Sequence, residues 1–262
     1  MMIISSRVRT RPLLPSLAAL LLTAACASSA RPARSPAAVA ASPAPQRTPE
    51  EIRLREDWAN LARYRAADSA LGAPKPGERR VVFIGNSITD AWTPYFPAMF
   101  PGKPYVDRGI SGQTTPQMLV RFRQDVIALK PAVVVILAGV NDIAGNTGPS
   151  TLGMIEDNLA SMTELAQANG IRVVLSSVLP AYDFPWHHGL EPAPKIVALN
   201  TWMKQYAAAK GAVYLDYHSA MADARGGLQS ALSGDGVHPN EAGYRVMAPL
   251  AERAIEEALG GR

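Results

Sequence analysis

The stretch that decides the fold is "RRVVFIGNSITDAW", residues 79 to 92. Four apolar residues, Val81 to Ile84, run into Gly85, Asn86 and Ser87, where both the apolar character and the strand pattern stop. A run this short, bounded by a turn and rich in β-branched and aromatic side chains, reads as a strand buried on both faces. Ser87 at its carboxyl end is either an ordinary turn or N-cap residue or a nucleophile, and the rest of the chain discriminates between the two.

Working outward, the same alternation of strand and helix repeats. "YVDRGI" is a second strand, followed by a helix from Pro116 to Leu129 with Leu119, Phe122, Val126 and Leu129 on one face. "AVVVILAG" is the third, followed by a helix carrying Leu152, Ile155, Leu159 and Met162 and ended by Asn169-Gly170. "IRVVLSSVLP" and "AVYLDY" are the last two strands, separated by a helix with Ile196, Leu199, Met203 and Tyr206. The final helix follows Asn240 and contains Pro249, which should kink it. Upstream, "TPEE" at Thr48 has the form of a capping box, with Pro49 at the first helical position. The helix it opens should carry Ile52, Leu54, Trp58, Leu61 and Tyr64 and run out near Gly72. Apolar strands alternating with amphipathic helices imply one α/β domain over residues 48–262, a parallel sheet covered on both sides. There is no internal repeat.

The 262 residues, 48% hydrophobic, suffice for a full core. The formal net charge of +4 owes three charges to Arg7, Arg9 and Arg11; the remainder is close to neutral, and no nucleic-acid partner follows from it. Residues 1–26 read as an export signal: a basic start, the apolar run "LLPSLAALLLTAA", then small residues. That run is too short and interrupted for a membrane span. Cys26, the sole cysteine, excludes an intrachain disulfide. Its place after "LTAA" resembles a bacterial lipoprotein signal, with Leu22 one residue further from the cysteine than usual. Ala25-Cys26-Ala27 is also an A-x-A cleavage site. The first reading, lipidation of Cys26 and residence in the cell envelope, is preferred to the second, release as a secreted protein; a lipid there would be the sole membrane contact. Residues 27–47, almost all Ala, Pro, Ser and Arg, are expected to form a disordered tether.

In an open parallel sheet, sites form at the carboxyl ends of the strands. There the chain places "GNSITD" with Ser87, "GISGQTT" with Gly112, and "AGVNDIAGN" with Asn141 and Asp142; before the last helix comes "SGDGVHPNEAGY" with Asp235 and His238. Asp235 and His238, three apart in a turn containing Gly234, Gly236 and Pro239, can pair so that the carboxylate fixes the imidazole tautomer. The other ring nitrogen can then take the Ser87 proton, as a Ser-His-Asp triad requires. An oxyanion built on an ester carbonyl would be met by the backbone N–H groups of Ser87 and Gly112 and the side-chain amide of Asn141.

These four blocks, in this order, resemble those of the SGNH hydrolases, or GDSL esterases: a G-D-S-type serine, a glycine, an asparagine in G-x-N-D and a histidine in D-x-x-H-P. The resemblance spans residues 80–250. It implies a three-layer α/β/α, flavodoxin-like fold with strand order 2-1-3-4-5 and no metal or organic cofactor. Asn86 departs from the usual aspartate, which removes a charge beside the nucleophile. Asp142 is expected to orient the Asn141 loop. His218, in "LDYHSAM", competes with His238 but lacks the carboxylate three residues before it. His187 and His188 sit adjacent on a loop without companion ligands and are not read as a metal site. Trp92, Tyr95 and Phe96 are read chiefly as core or lid, while aromatics near the site could stack on a sugar. Trp186, in the long insert "LPAYDFPWHHGLEPAPK", is expected to line the pocket. The expected activity is an exported serine esterase for short acyl, mainly acetyl, esters of carbohydrates. An aryl- or lysophospholipid esterase and an envelope-glycan O-acetyltransferase are the alternatives, and a catalytically inert glycan-binding module is a third. The oligomeric state is not legible.

Overall fold

The computed structural model describes residues 47–260. The export signal, Cys26 and nearly all of the tether lie outside the described residues. Five strands, β1 (Val81–Gly85), β2 (Tyr105–Gly109), β3 (Val133–Leu137), β4 (Arg172–Ser176) and β5 (Val213–Leu215), form one parallel sheet in the order β2-β1-β3-β4-β5. Every residue of β1 and β3 is buried, as strands covered on both faces must be. Edge strand β2 carries Asp107 and Arg108; Arg108 is buried and paired with Asp68 of α2 at 2.6 Å.

The helices are α1 (Pro49–Glu56), α2 (Arg65–Leu71), α3 (Ser87–Asp90), α4 (Phe96–Met99), α5 (Thr115–Asp125), α6 (Val140–Ile143), α7 (Leu152–Ala168), α8 (Pro192–Lys210), α9 (His218–Met221) and α10 (Glu241–Gly260). The neighbours α5, α7 and α8 cover one face through Met118, Phe122, Ile155, Leu159, Ile196 and Leu199. On the other face α10 packs over β3, β4 and β5, and Pro249 lies within it without ending it. This is the three-layer, doubly wound arrangement. The order in which strands are added reverses at β1, which has β2 on one side and β3 on the other, so the turn after β1 lies at the topological switch point.

Two expectations are corrected. The segment from Thr48 to Gly72 is two short helices, not one. The capping box is present, with Glu51 N–H donating to Thr48 Oγ1 and Thr48 N–H to Glu51 Oε2. Asp57 then ends α1, because its carboxylate accepts the Leu61 and Ala62 N–H groups at 2.7 and 2.8 Å and folds the chain back. Ile52, Leu54 and Trp58 are consequently exposed. The helix expected to reach Leu129 stops at Asp125, where Val126 leaves helical geometry, and a 3-10 turn follows. Trp92 and Phe96 are core, as expected, packed edge-on against Phe83, with Trp92 stacked on Tyr244; neither can present a face to a sugar.

Candidate active site

Ser87 is the first residue of α3, directly after β1. Asn86 caps that helix: its Oδ1 accepts the Ile88 N–H at 3.0 Å, and the side chain is wholly buried. The amide Nδ2 of Asn86 has no partner among the described residues, so the asparagine serves as a neutral cap. Gly109, on the adjoining strand, lets α3 sit directly on β2: a Cβ there would fall 2.0 Å from the Asp90 nitrogen. Next to the serine in α3, the Tyr244 hydroxyl donates to Ile88 O at 2.8 Å.

The structure brings Ser87, His238 and Asp235 into one hydrogen-bonded series. Ser87 Oγ lies 2.9 Å from His238 Nε2, and His238 Nδ1 lies 2.6 Å from Asp235 Oδ2. With Nδ1–H donating to the carboxylate, Nε2 is left as the acceptor for the serine hydroxyl. Asp235 Oδ1 meanwhile accepts the Val237 and His238 N–H groups at 2.9 and 2.8 Å, closing the turn. Ser233 Oγ braces it from below, donating to His238 O and accepting from Gly236 N–H. Burial pushes the Asp235 carboxyl up, but the hydrogen bonds from the His238 ring and from the two N–H groups prevail and hold it at about 2.

Gly112 has φ of +79°, in the left-handed region that favours glycine. Its loop is joined to the one after β3: Asn141 Nδ2 donates to Gln113 O at 2.9 Å, and Asn146 Nδ2 to Gly112 O at 3.3 Å. That leaves the second Asn141 N–H uncommitted. Asp142, buried, accepts the Thr115 N–H with both oxygens at 3.0 Å and the Thr115 hydroxyl at 2.6 Å, tying the Asn141 turn to the start of α5. Burial raises its pKa.

Trp186 stands beside the histidine, with ring centroids 5.9 Å apart and the indole 46% exposed; its Nε1–H donates to Asn146 Oδ1. The long insert also bounds two cavities, one of 470 Å³ lined by Tyr182, Glu191 and Arg225 and one of 370 Å³ lined by His187, Leu190 and Lys195. A cavity of 460 Å³ lined by Gly170, Arg172 and Glu257 holds none of the groups discussed. His187 Nδ1 pairs with Ala144 O and His188 Nδ1 with Asp183, so the adjacent histidines serve different loops. Among the described residues no three His, Cys, Asp or Glu side chains are grouped to hold a metal ion. His218 begins α9, and its ring Nε2 is buried without a partner; burial lowers its pKa against the pull of Asp216.

Sequence reasoning missed two residues that touch these loops. Arg121, wholly buried, reaches Gly85 O, Gln113 and Asp125, and Gln113 in turn donates to Ala59 O. Asp90 was also passed over; its Oδ2 accepts both the hydroxyl and the N–H of Ser111, at 2.6 and 3.2 Å.

A family model, the GDSL-like Lipase/Acylhydrolase family, matches residues 83–246, and the chain belongs to that family. Among solved structures it is similar to a GDSL-like lipase from Bacteroides thetaiotaomicron, with 46% identity, a TM-score of 0.75, and coverage of 77% of this chain and 100% of that one. It is 30% identical over 138 residues to esterase TesA of Pseudomonas aeruginosa, covering 51% of this chain and 60% of that protein's length. It is 25% identical over 207 residues to an acetylxylan esterase of Geobacillus stearothermophilus, covering 67% of this chain and 93% of that one.

Proposed function

We propose that the protein is an exported serine esterase that removes short acyl groups, acetyl above all, from O-acetylated carbohydrate. The observation that carries the reading is the series from Ser87 through His238 to Asp235, with Oγ–Nε2 at 2.9 Å and Nδ1–Oδ2 at 2.6 Å. His238 takes the serine proton as the oxygen attacks the ester carbonyl, and the carboxylate of Asp235 stabilises the imidazolium. The oxyanion is met by the N–H groups of Ser87 and Gly112 and the uncommitted N–H of Asn141. Collapse releases the alcohol, which takes the proton from His238 and leaves an acyl group on Ser87. Water, activated by the same histidine, then frees the acid.

The carbohydrate part of the reading rests on two supports. One is the exposed indole of Trp186 beside His238, a flat apolar face of the kind a pyranose ring stacks on. The other is the set of relatives named acetylxylan esterase. Export, with Cys26 as the lipidated N-terminus, rests on the sequence of residues 1–26.

The test measures acetate released from acetylated xylan alongside p-nitrophenyl acetate and p-nitrophenyl octanoate, with Ser87→Ala as control. Acetate release from xylan, abolished by the substitution, is expected. Preference for the octanoate ester would remove the carbohydrate from the claim, and acyl transfer to a sugar in excess of hydrolysis would make the protein a transferase. Turnover that persists in Ser87→Ala would refute the mechanism.

A further inference from the structure

Arg121 sits in the middle of α5 with no exposure to solvent. Its guanidinium makes three contacts: Nη2 donates to Gly85 O at 2.9 Å, Nε to Gln113 Oε1 at 2.6 Å, and Nη1 to Asp125 Oδ2 at 3.0 Å. Gly85 is the last residue of β1, two before the serine, and Gln113 follows Gly112. One rigid planar cation thus joins the strand that carries the nucleophile to the loop that carries an oxyanion N–H.

Gln113 extends the connection in two directions. Its side chain, 3% exposed, also donates through Nε2 to Ala59 O at 2.7 Å. Its backbone carbonyl accepts from Asn141 Nδ2 at 2.9 Å. The loop it belongs to contains Gly112 at positive φ, a residue with little conformational preference of its own. The orientation of the Gln113 carbonyl, and with it the aim of the Asn141 amide, therefore depends on what fixes the Gln113 side chain.

We propose that Gln113 is a positioning residue for the reaction: clamped between Arg121 and Ala59 O, its side chain holds the backbone carbonyl that aims Asn141 at the oxyanion. The proposal rests on the esterase reading above. A donor has to be held within about 0.5 Å of its working position to count, and losing one oxyanion donor outright costs roughly 100- to 1,000-fold in kcat. Freeing the clamp loosens that donor without deleting it, so the loss should be about 10- to 100-fold.

The test compares Gln113→Met, which keeps the volume and loses both hydrogen bonds, with Gln113→Glu, which keeps the acceptor for Arg121. Gln113→Asn, too short to span both partners, stands in should the methionine variant fail to fold. Steady-state kcat and KM on p-nitrophenyl acetate are measured on protein shown folded by circular dichroism, in the wild-type and Asn141→Ala backgrounds. The expected result is a kcat about 10- to 100-fold lower at nearly unchanged KM for Gln113→Met, partial recovery in Gln113→Glu, and an effect reduced to a few-fold or less once Asn141 is alanine. A folded Gln113→Met with kcat within threefold of wild type would overturn the proposal. So would a loss that persists in full in the Asn141→Ala background. Absence of Ser87-dependent turnover in the wild-type protein would instead sink the esterase reading on which the proposal stands.

Discussion

Replacing Asp235 by asparagine separates the two jobs its carboxylate does. Oδ1 accepts the Val237 and His238 N–H groups and shapes the turn, while Oδ2 alone faces the ring nitrogen, at 2.6 Å. An asparagine can keep its carbonyl oxygen on the two N–H groups, so the turn should survive and the melting temperature should fall by only a few degrees. The amide N–H₂ then points at Nδ1 and is compatible only with the tautomer that carries its proton on Nε2. In that tautomer Nε2 is a donor and cannot accept the Ser87 proton across the 2.9 Å contact. Loss of the correct tautomer in a serine triad costs about 10⁴-fold in kcat, equivalent to ~5.5 kcal/mol of transition-state stabilisation. The assay is kcat and KM on p-nitrophenyl acetate at pH 7.5, with thermal denaturation of the same samples. A folded Asp235→Asn retaining a tenth or more of wild-type kcat would refute the assignment, because the histidine would then be oriented without the carboxylate.

Two further predictions concern a buried charge and the segment that carries α1 and α2. Asp107 is held at about 7, first because it is buried, with help from the nearby charge of Asp90, and its Oδ2 has no partner among the described residues. A carboxyl raised above its unfolded value of about 3.9 destabilises the fold as pH rises between the two values, with the full cost present above 7. Stability measured by urea unfolding should therefore fall from pH 5 to pH 8 by up to about 3 kcal/mol, and Asp107→Asn, which can still accept from Gly109 N–H, should flatten the slope; an unchanged slope in the variant would refute this. Removal of residues 1–47 should leave a folded, active domain, whereas removal through Ala73 should not. The longer deletion strips partners from the side chains of Gln113, Gln117, Gln124 and Arg108, which bind Ala59 O, Trp58 O, Leu61 O and Asp68. Each buried group left unpaired costs about 1–3 kcal/mol, a sum comparable to the stability of a whole domain. A cooperative melt in the shorter chain would refute it.

The sheet was legible because its signal is local. Val81 to Ile84 and Val133 to Leu137 are runs that only a doubly covered strand explains, and the residues after them could be read off as a list of what stands at the sheet's carboxyl edge. The pairing of Asp235 with His238 was legible because three residues in a glycine-containing turn suffice to make it. What failed was periodicity where a polar side chain intervenes. Nothing in the spacing of Ile52, Leu54 and Trp58 announces that Asp57 will take the N–H groups of Leu61 and Ala62 and turn the chain back. Arg121 and Asp125 lie on the same helical face as the buried Met118 and Phe122. A charged pair four apart on an apolar face was the available sign of a buried ion pair, but its partners, Gly85 O and Gln113, are set by tertiary structure alone.

The same reasoning explains how two residues 151 positions apart in sequence are held 2.9 Å from each other. Neither Ser87 nor His238 is fixed by its own contact, since one hydrogen bond between half-buried groups is worth only about 1 kcal/mol. The constraint comes from α10, which begins just after the histidine turn. Tyr244, six residues beyond His238, is buried, stacks on Trp92 with centroids 5.2 Å apart and donates to Ile88 O within α3. Trp92 in turn lies in the aromatic cluster with Phe83 of β1. His238 and Ser87 are therefore mounted on two elements joined through core packing about one helical turn away. The hydroxyl and imidazole meet because the core around Trp92 and Tyr244 leaves them little room to do otherwise.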